Sequence, residues 1–556
     1  MEGKRERFSK RLEQLKAERN SFEPHWKELS EFISPRTSRF FSDSNTDKGG
    51  KKNQKIINNT ATLAARTLNS GMMSGLTSPS RPWFKLTVSD PQMMEYGPVK
   101  SWLWICEQVM HDVFSKSNLY NTLQKVYESL GIYGTAALGV FEDDERGIYC
   151  HAFPVGSYYL ATSSKGQVDT IYREFRMTVR QLVQEFGVDV LSDTVKSMYQ
   201  NRQYEDHIEV VHVIEPNTEQ VSGKLDKKNK RFVSVYYENG SNGDTLLRES
   251  GFDDFPVMAA RWDLTSDEDV YGSSPGMEAL GDIRVLQKYE ERKYDLVAKG
   301  ANPPLMAPES LRLSGGVNAL PGEITYINRA EGMSGIMPMY VPDPNWISII
   351  SADIVQHEQR IDQTFYKDIF MMLTNDMRSN VTATEINERR EEKMLMLGPV
   401  VERLENELLT PLVERTFNIL FKQKRLPDPP EAIQGESMKV EYISVISQAQ
   451  KAVATVGIER TISFVGNLAA VNPDVLDKVD FDQAVDEYAM MTGVPPTIIR
   501  SDEDVGAIRQ QKAEAAQAQQ QMAMVQQGVE QAKLLSETDT GGENALTALV
   551  QGAGSV

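Results

Sequence analysis

The chain has 556 residues and a formal net charge of −19, from 60 basic and 79 acidic side chains. That acidic excess excludes a protein that holds nucleic acid by neutralising phosphates, although like-charged walls suit one past which DNA slides. Hydrophobic residues at 40% and charged residues at 25% are ordinary for a folded chain, with length for roughly three or four units and more than one core.

Residues 5–33 read as helix, because Phe8, Leu12 and Leu15, then Trp26, Leu29, Phe32 and Ile33, recur at helical spacing. Ser34-Pro35 stops the pattern, and the polar, glycine-containing stretch 41–54 reads as a loop. Helix returns over 55–75, with Ile56, Leu63, Thr67 and Met72 on one side, and two more helices occupy 98–131. Short strands follow at 135–141, 147–153, 157–161 and 168–175. Residues 178–200 read as one helix capped by Thr178, and 207–214, 231–237 and 256–262 as strands. Residues 1–270 therefore read as an α+β body.

The character changes near residue 271. Residues 276–299 form one helix of about 36 Å at 1.5 Å per residue. It is rich in charge, as in Lys288, Glu290, Glu291, Arg292, Lys293 and Asp295. Residues 300–346, rich in proline and glycine, read as compact but irregular. A second helix over 347–373 carries Ile354, Ile361, Phe365, Ile369 and Leu373, and the polar segment Thr374 to Asn380 interrupts it. A very long helix covers 382–424, with the stripe Ile386, Met394, Leu397, Val401, Leu404, Leu408 and Leu412. Gly398-Pro399 should kink it. Residues 425–435 read as a linker, 438–443 as a short strand returning to the body, and 446–492 as helix. A final helix from 503 fades into a Gln/Ala-rich run, either a helix needing partners or a partly disordered tail.

The motifs of several enzyme classes are missing. There is no G-x-x-x-x-G-K-[ST] phosphate loop, no G-x-G-x-x-G after a strand and no H-E-x-x-H. Among the six histidines, His207 and His212 lie five apart in a strand, which puts them on opposite faces and off any common metal. The acidic clusters Glu142-Asp143-Asp144-Glu145 and Asp502-Glu503-Asp504 have the residues for a Mg²⁺ site. Gly147 after the first makes a hairpin turn the simpler reading, and Ser501 before the second makes a capped helix start. Cys106 and Cys150 read as reduced thiols, and the sequons at Asn58 and Asn380 as chance. The N-terminus lacks a signal-peptide core and no apolar run reaches membrane-spanning length, so no membrane, metal or cofactor is expected.

The order helix, compact insertion, helix, short polar loop, long kinked helix places the insertion at the far end of an antiparallel pair. At this point the sequence resembles a family, the head-to-tail connecting (portal) proteins of short-tailed phages. The resemblance rests on Leu68-Asn69-Ser70-Gly71-Met72-Met73-Ser74-Gly75-Leu76-Thr77-Ser78-Pro79 with Arg81-Pro82-Trp83-Phe84, and on Val270-Tyr271-Gly272-Ser273-Ser274-Pro275-Gly276. It rests further on Thr382-Ala383-Thr384-Glu385-Ile386 and on Gly493-Val494-Pro495-Pro496 with Arg500.

The resemblance implies a mainly helical α+β portal fold with wing, stem, clip, tunnel loop and crown, assembled as a dodecameric ring. The wing would span 1–275 with a return at 425–445, the stem helices 276–299 and 347–373, and the clip 300–346. The tunnel loop would be 374–380, followed by the long kinked helix 381–424. The crown would span 446–500, and 501–556 a C-terminal helix or barrel or a partly disordered tail. It also implies a channel for packaging and ejecting double-stranded DNA, read without sequence specificity, at the portal vertex of the virion after assembly in the host cytoplasm. Implied partners are the terminase large subunit, the major capsid and scaffolding proteins, and tail adaptor or nozzle proteins.

Within that frame Arg378, with Asn375 and Asn380, would make transient phosphate contacts from the tunnel loop; the alternative is a local pair with Asp376 or Glu385. The stripe of the kinked helix would pack between neighbouring copies. Two other readings stay open. One is a structural tail adaptor ring without a packaging role, although adaptors are far shorter and lack the helix–insertion–helix order. The other is a nucleic-acid enzyme, which the missing motifs and acidic balance disfavour.

Overall fold

The computed structural model describes residues 3–37, 54–90, 93, 96–221, 226–240, 245–303, 305–306, 337–338, 343–374, 396–433, 438–443, 458–470, 472–492 and 502–536. The chain divides into two units, Met1–Ala454 and Thr455–Val556. The fold is α+β and mainly helical, as the sequence indicates.

In the first unit the N-terminal helical stretch is two helices, α1 (Lys4–Arg19) and α2 (Glu23–Phe32). The break falls at Asn20 to Phe22, where Pro24 in the first turn of α2 occupies a position whose N–H is unsatisfied in any helix. Helix α3 (Thr60–Leu76) is followed by β1 (Phe84–Val88), α4 (Gly97–Lys116) and α5 (Leu119–Tyr133). The buried face of α3 is not the expected one. Leu63 is exposed, and Ala61, Ala64, Ala65, Leu68, Asn69 and Met72 are buried. Small side chains let α3 approach its neighbours closely: a Cβ at Gly71 would collide with the Phe370 ring.

A second block is β-rich. Strands β2 (Thr135–Asp143) and β3 (Gly147–Phe153) form a hairpin, and β4 (Tyr158–Thr162) and β5 (Val168–Thr178) follow. The acidic cluster after β2 is the hairpin turn, as expected: Asp143 Oδ1 accepts from the backbone N–H of Glu145 (2.9 Å) and Arg146 (2.8 Å). The single helix expected over 178–200 is two. Thr178 caps α6 (Val179–Phe186) in a reciprocal pair with Gln181, the chain turns at Gly187, and Ser192 caps α7 (Asp193–Gln200). Then come β6 (His207–Pro216), β7 (Phe232–Glu238), β8 (Arg248–Phe252) and β9 (Val257–Arg261). The strand β8 is absent from the sequence reading because RESGF lacks apolar alternation; it is the edge of its sheet.

The five-stranded sheet runs β4-β5-β6-β7-β8, antiparallel throughout, and a three-stranded sheet runs β3-β2-β9. Period-two alternation assigns the faces of the larger sheet. Val211, Val213, Val233, Val235 and Tyr237 meet Phe8, Leu12 and Leu15 of α1 in one core cluster. The main core joins α2 to α5, the smaller sheet and the later helices.

Helix α8 (Pro275–Ala301) is 27 residues long, about 40 Å. At its far end β10 (Leu305–Met306) pairs with β11 (Met337–Pro338), and the chain returns along α9 (Pro344–Thr364) and α10 (Lys367–Thr374). The helix expected over 347–373 is therefore broken, at Tyr366, whose φ of +54° leaves the helical region. Described chain resumes at Met396. Helix α11 (Gly398–Leu404) passes through a π-turn (Glu405–Leu409) into α12 (Thr410–Lys422). Pro411 has no N–H for the Glu407 carbonyl, which accounts for a register change just before it. The expected strand over 438–443 forms as β12 (Met438–Tyr442), antiparallel to β1.

The second unit is helical where described. Residues 458–469 are helix, Pro473–Lys478 a 3₁₀ stretch, and two helices follow, α13 (Phe481–Thr492) and α14 (Asp502–Ser536). Asn472-Pro473 divides the helix expected over 446–492.

Candidate functional site

The long antiparallel pair α8 and α9 is anchored in the body at its root. Ser274 caps α8: its Oγ accepts from Met277 N (3.1 Å) and donates to the Ile132 carbonyl (2.7 Å) at the end of α5. The preceding residues explain themselves by close approach. Gly134, at φ +76°, faces Gly272 and Ser273 so tightly that a Cβ on it would overlap their carbonyls. Thr135 Oγ1 accepts from Gly272 N (2.9 Å), and Tyr271 packs edge-on against Trp26 (5.2 Å) while its hydroxyl accepts from Leu160 N (3.1 Å). The glycines and serines of residues 270–276 are thus the geometry of a long helix leaving a packed body.

About four turns further out, Asn58 fastens both long helices to the start of α3. Its Nδ2 donates to Glu290 of α8 (3.0 Å) and to Glu358 of α9 (2.8 Å). Its Oδ1 accepts from Thr60 N (2.9 Å) and Thr60 Oγ1 (2.6 Å). Buried Gln287 completes the joint: its Oε1 accepts from Ile57 N (2.7 Å) and Asn58 N (2.9 Å), and its Nε2 donates to the Asn58 carbonyl (2.8 Å). Beside it Asp282 meets His357 (2.7 Å) and Arg360 (3.7 Å) across the two helices. Sequence reasoning set Asn58 aside as a chance sequon. The signal was present in the same triplet, because Asn two residues before a Thr that opens a helix is a local cap.

The pair continues through Tyr366 into α10, whose Phe370 lies in the α3 groove at Gly71. The candidate channel residues Asn375, Arg378 and Asn380, with Asp376 and Glu385, lie outside the described residues. So do Thr382 to Ile386 and the stretch from Gly493 to Arg500. Most of 300–346 is also outside them, apart from the ends that the β10–β11 pair ties together.

The stripe of the returning helix has a different fate from the one expected. Leu397, Val401, Leu404, Leu408 and Leu412 are all fully buried in the protomer's own main core. They are not available to a neighbouring copy; Ile386 and Met394 lie outside the described residues. At the π-turn Glu407 reaches β9. Its carboxylate accepts from Arg261 N (2.9 Å), Nε (3.2 Å) and Nη2 (2.5 Å), and Arg261 also donates to the carbonyls of Asp269 and Gly166 (2.9 Å each). Arg261 is 3% exposed, so this is a buried ion pair with its donors satisfied.

Reactive chemistry is sparse. Among the described residues no group of three His, Cys, Asp or Glu converges as metal ligands, and no helix is long and apolar enough to cross a membrane. Cys106 and Cys150 are free and buried, and burial pushes both thiols up to about 12. His207 is exposed and His212 buried, the opposite faces that their spacing requires. In the second unit, Arg509 of α14 holds Asp482 of α13 with two bonds (2.5 and 2.8 Å), which keeps that carboxyl below its usual range. Helix α14 begins at Asp502, and Met522 and Met524 on it are exposed.

Comparison with known proteins gives consistent matches along the chain. The family model described as "Bacteriophage head to tail connecting protein" matches residues 5–499. The "Portal protein" of Salmonella phage epsilon15 is 49% identical over 555 residues, covering 100% of this chain and 99% of that one. The "Probable portal protein" of Bordetella phage BPP-1 is 42% identical over 534 residues, covering 96% of each. A solved chain from "Neck of empty GTA particle computed with C6 symmetry" aligns over 73% of this chain and 84% of that one. At 11% identity and a TM-score of 0.29 that alignment carries no argument.

Proposed function

The chain belongs to the bacteriophage head to tail connecting protein family and serves as a portal, and we propose that it does so as a dodecameric ring. The central channel passes double-stranded DNA inward during packaging and outward at ejection. The observation that carries this reading is the match to a portal protein and a probable portal protein over at least 96% of each chain. The role is structural, and the protein is a component of the virion.

The finer anatomy supports itself on the fold. The α+β body of 1–275 with the β12 strand of 425–445 is the wing. The pair 276–299 and 347–373 is the stem, standing on the Ser274 cap and the Asn58 joint. Residues 300–346 form the clip, which docks the terminase large subunit and later tail adaptor or nozzle proteins. Residues 446–500 form the crown, followed by the C-terminal segment 501–556. The body faces major capsid and scaffolding proteins. Since the sequence has no phosphate loop, the ATPase motor is another polypeptide.

Residues 374–380 form the tunnel loop, where Arg378 with Asn375 and Asn380 touches phosphates briefly. A ring multiplies the chain's negative charge, so such contacts stay weak enough for DNA to slide. Neighbour contacts fall to apolar side chains that the protomer leaves exposed on the long pair, Tyr294, Val297, Trp346 and Ile349.

Negative-stain microscopy of purified protein tests the ring directly: a wide particle with a central hole and twelvefold symmetry is expected, and a stable monomer overturns the proposal. An Arg378→Ala virus tests the channel role. Reduced packaging or genome retention is expected; unchanged values for both remove Arg378 from the channel.

A further inference from the structure

Enclosed cations in proteins ordinarily carry a partner, and one half-buried arginine in this fold has none. Across the inner face of the five-stranded sheet, register places Tyr158, Arg173, His212, Tyr236 and Arg248 in one row, one from each strand β4 to β8. The row is a stack of planar groups. His212 lies on Tyr236 (3.8 Å, 7°), and the Arg248 guanidinium sits 5.9 Å from the same ring. Arg173 lies 4.0 Å over Phe153 of β3 and 4.8 Å from Phe175.

Arg248 has its acid, Glu185, at 2.9 Å. Arg173 has no acid. Among the described residues nothing accepts a hydrogen bond from its side chain, and its Nε is wholly enclosed without a partner. The Nδ1 of His212, one strand over, is likewise enclosed and unpartnered, while its Nε2 meets Ser234 Oγ (3.1 Å). On β3, His151 is tilted on Phe153, the ring that Arg173 covers (4.9 Å).

We infer that the place where Arg173 of β5 lies over Phe153 of β3 is a binding site for an oxyanion, with Arg173 as its cation and aromatic rings holding the guanidinium plane in place. A phosphate ion or a carboxylate from a neighbouring copy has the required chemistry. Both match the guanidinium fork, which takes two parallel bonds to a pair of oxygens. The surroundings agree. Burial, then the charges of Arg173 and Lys125, pushes His151 down to about 4. Burial with Arg173 and Arg248 holds His212 well below its usual range. Both imidazoles are neutral and able to donate, and every charge that reaches them is positive. An unpaired, partly buried charge costs stability that a bound oxyanion returns.

The test compares the full-length chain with its Arg173→Met and Arg173→Lys variants, unassembled and as rings. Each is melted in rising inorganic phosphate against chloride at matched ionic strength. The unassembled wild type should show a saturable rise in Tm of about 2 °C. The rise should be absent in Arg173→Met and weakened several-fold in Arg173→Lys, which keeps the charge but loses the fork. If the rise persists in rings, the site takes its oxyanion from solution. If rings lose it and Arg173→Met assembles poorly, a neighbour's carboxylate fills it. No rise in the unassembled wild type, or an equal rise in Arg173→Met, overturns the site. Should Arg173→Met fail to fold, an undiminished rise in Arg173→Lys does so.

Discussion

The two halves of α8 are one helix with two environments. Toward its start Ala279, Leu280, Ile283, Leu286 and Gln287 are buried, and beyond Gln287 no residue is. Tyr294 in the outer half is 74% exposed. Helix α9 repeats the contrast in reverse order: Ile354 at its middle and Ile361 near its end are buried, and Trp346 at its start is 57% exposed. Both elements stay helical throughout, so what changes along them is the supply of partners. The inner halves are finished by their own chain. The outer halves carry large apolar side chains whose burial has to come from elsewhere.

The sharpest way to break this comparison is to attack the side expected to be self-sufficient. Leu404 lies in the stripe that periodicity marks as a large apolar face, and it is fully buried within the protomer. Leu404→Ala should destabilise the unassembled chain by about 3 kcal/mol, the cost of lost transfer energy plus a cavity. Chemical denaturation of dilute protein measures it. An unchanged midpoint with weakened rings would instead put the stripe at a subunit contact.

That stripe shows where sequence legibility ends. Spacing identified Leu397, Val401, Leu404, Leu408 and Leu412 as one buried face, because periodicity reports burial. It does not report against what, and the core of the same chain is the answer. Most helices and the longer strands were legible, and with them the hairpin turn at Asp143 and the cap at Thr178, but the short strands β1, β8, β10 and β11 were not. Breaks inside helices were legible where Gly398-Pro399 marks one, at the start of α11, and not elsewhere. Tyr366 leaves the helix without proline or glycine, because Phe370 must turn into the α3 groove that Gly71 opens. The face of α3 was misjudged, Met72 apart, because much of it is alanine and glycine, which give little apolar signal beside the exposed Leu63. The Asn58 joint was hidden because its partners, Glu290 and Glu358, are distant in sequence.

The joint marks the boundary between the two halves, and removing it should blur that boundary. Asn58→Ala deletes the donor shared by Glu290 and Glu358 and the local cap of α3. Hydrogen bonds to charged groups contribute about 1.5–3 kcal/mol each when enclosed, and Asn58 is only partly buried, so a loss of about 1–2 kcal/mol is expected. The more telling readout is amide hydrogen exchange. Protection along α8 and α9 outside Gln287 should fall more than protection in β2 or α5. A uniform loss would mean that Asn58 contributes general stability and does not anchor the long pair.

The smallest expected change in stability belongs to the outer half, and it is the most informative about assembly. Tyr294 and Trp346 touch mostly solvent in the single chain. Replacing both with alanine should therefore leave unfolding of the unassembled protein within about 0.5 kcal/mol of wild type, as for ordinary surface sites. If these side chains are what a neighbouring copy covers, the same double variant should lose ring formation, because large aromatics at the centre of an interface carry a disproportionate share of its energy. Sedimentation across a range of concentrations separates the two effects. Intact rings at wild-type concentrations would leave the outer surface to a partner other than this chain, while the inner surface, already complete, would be untouched.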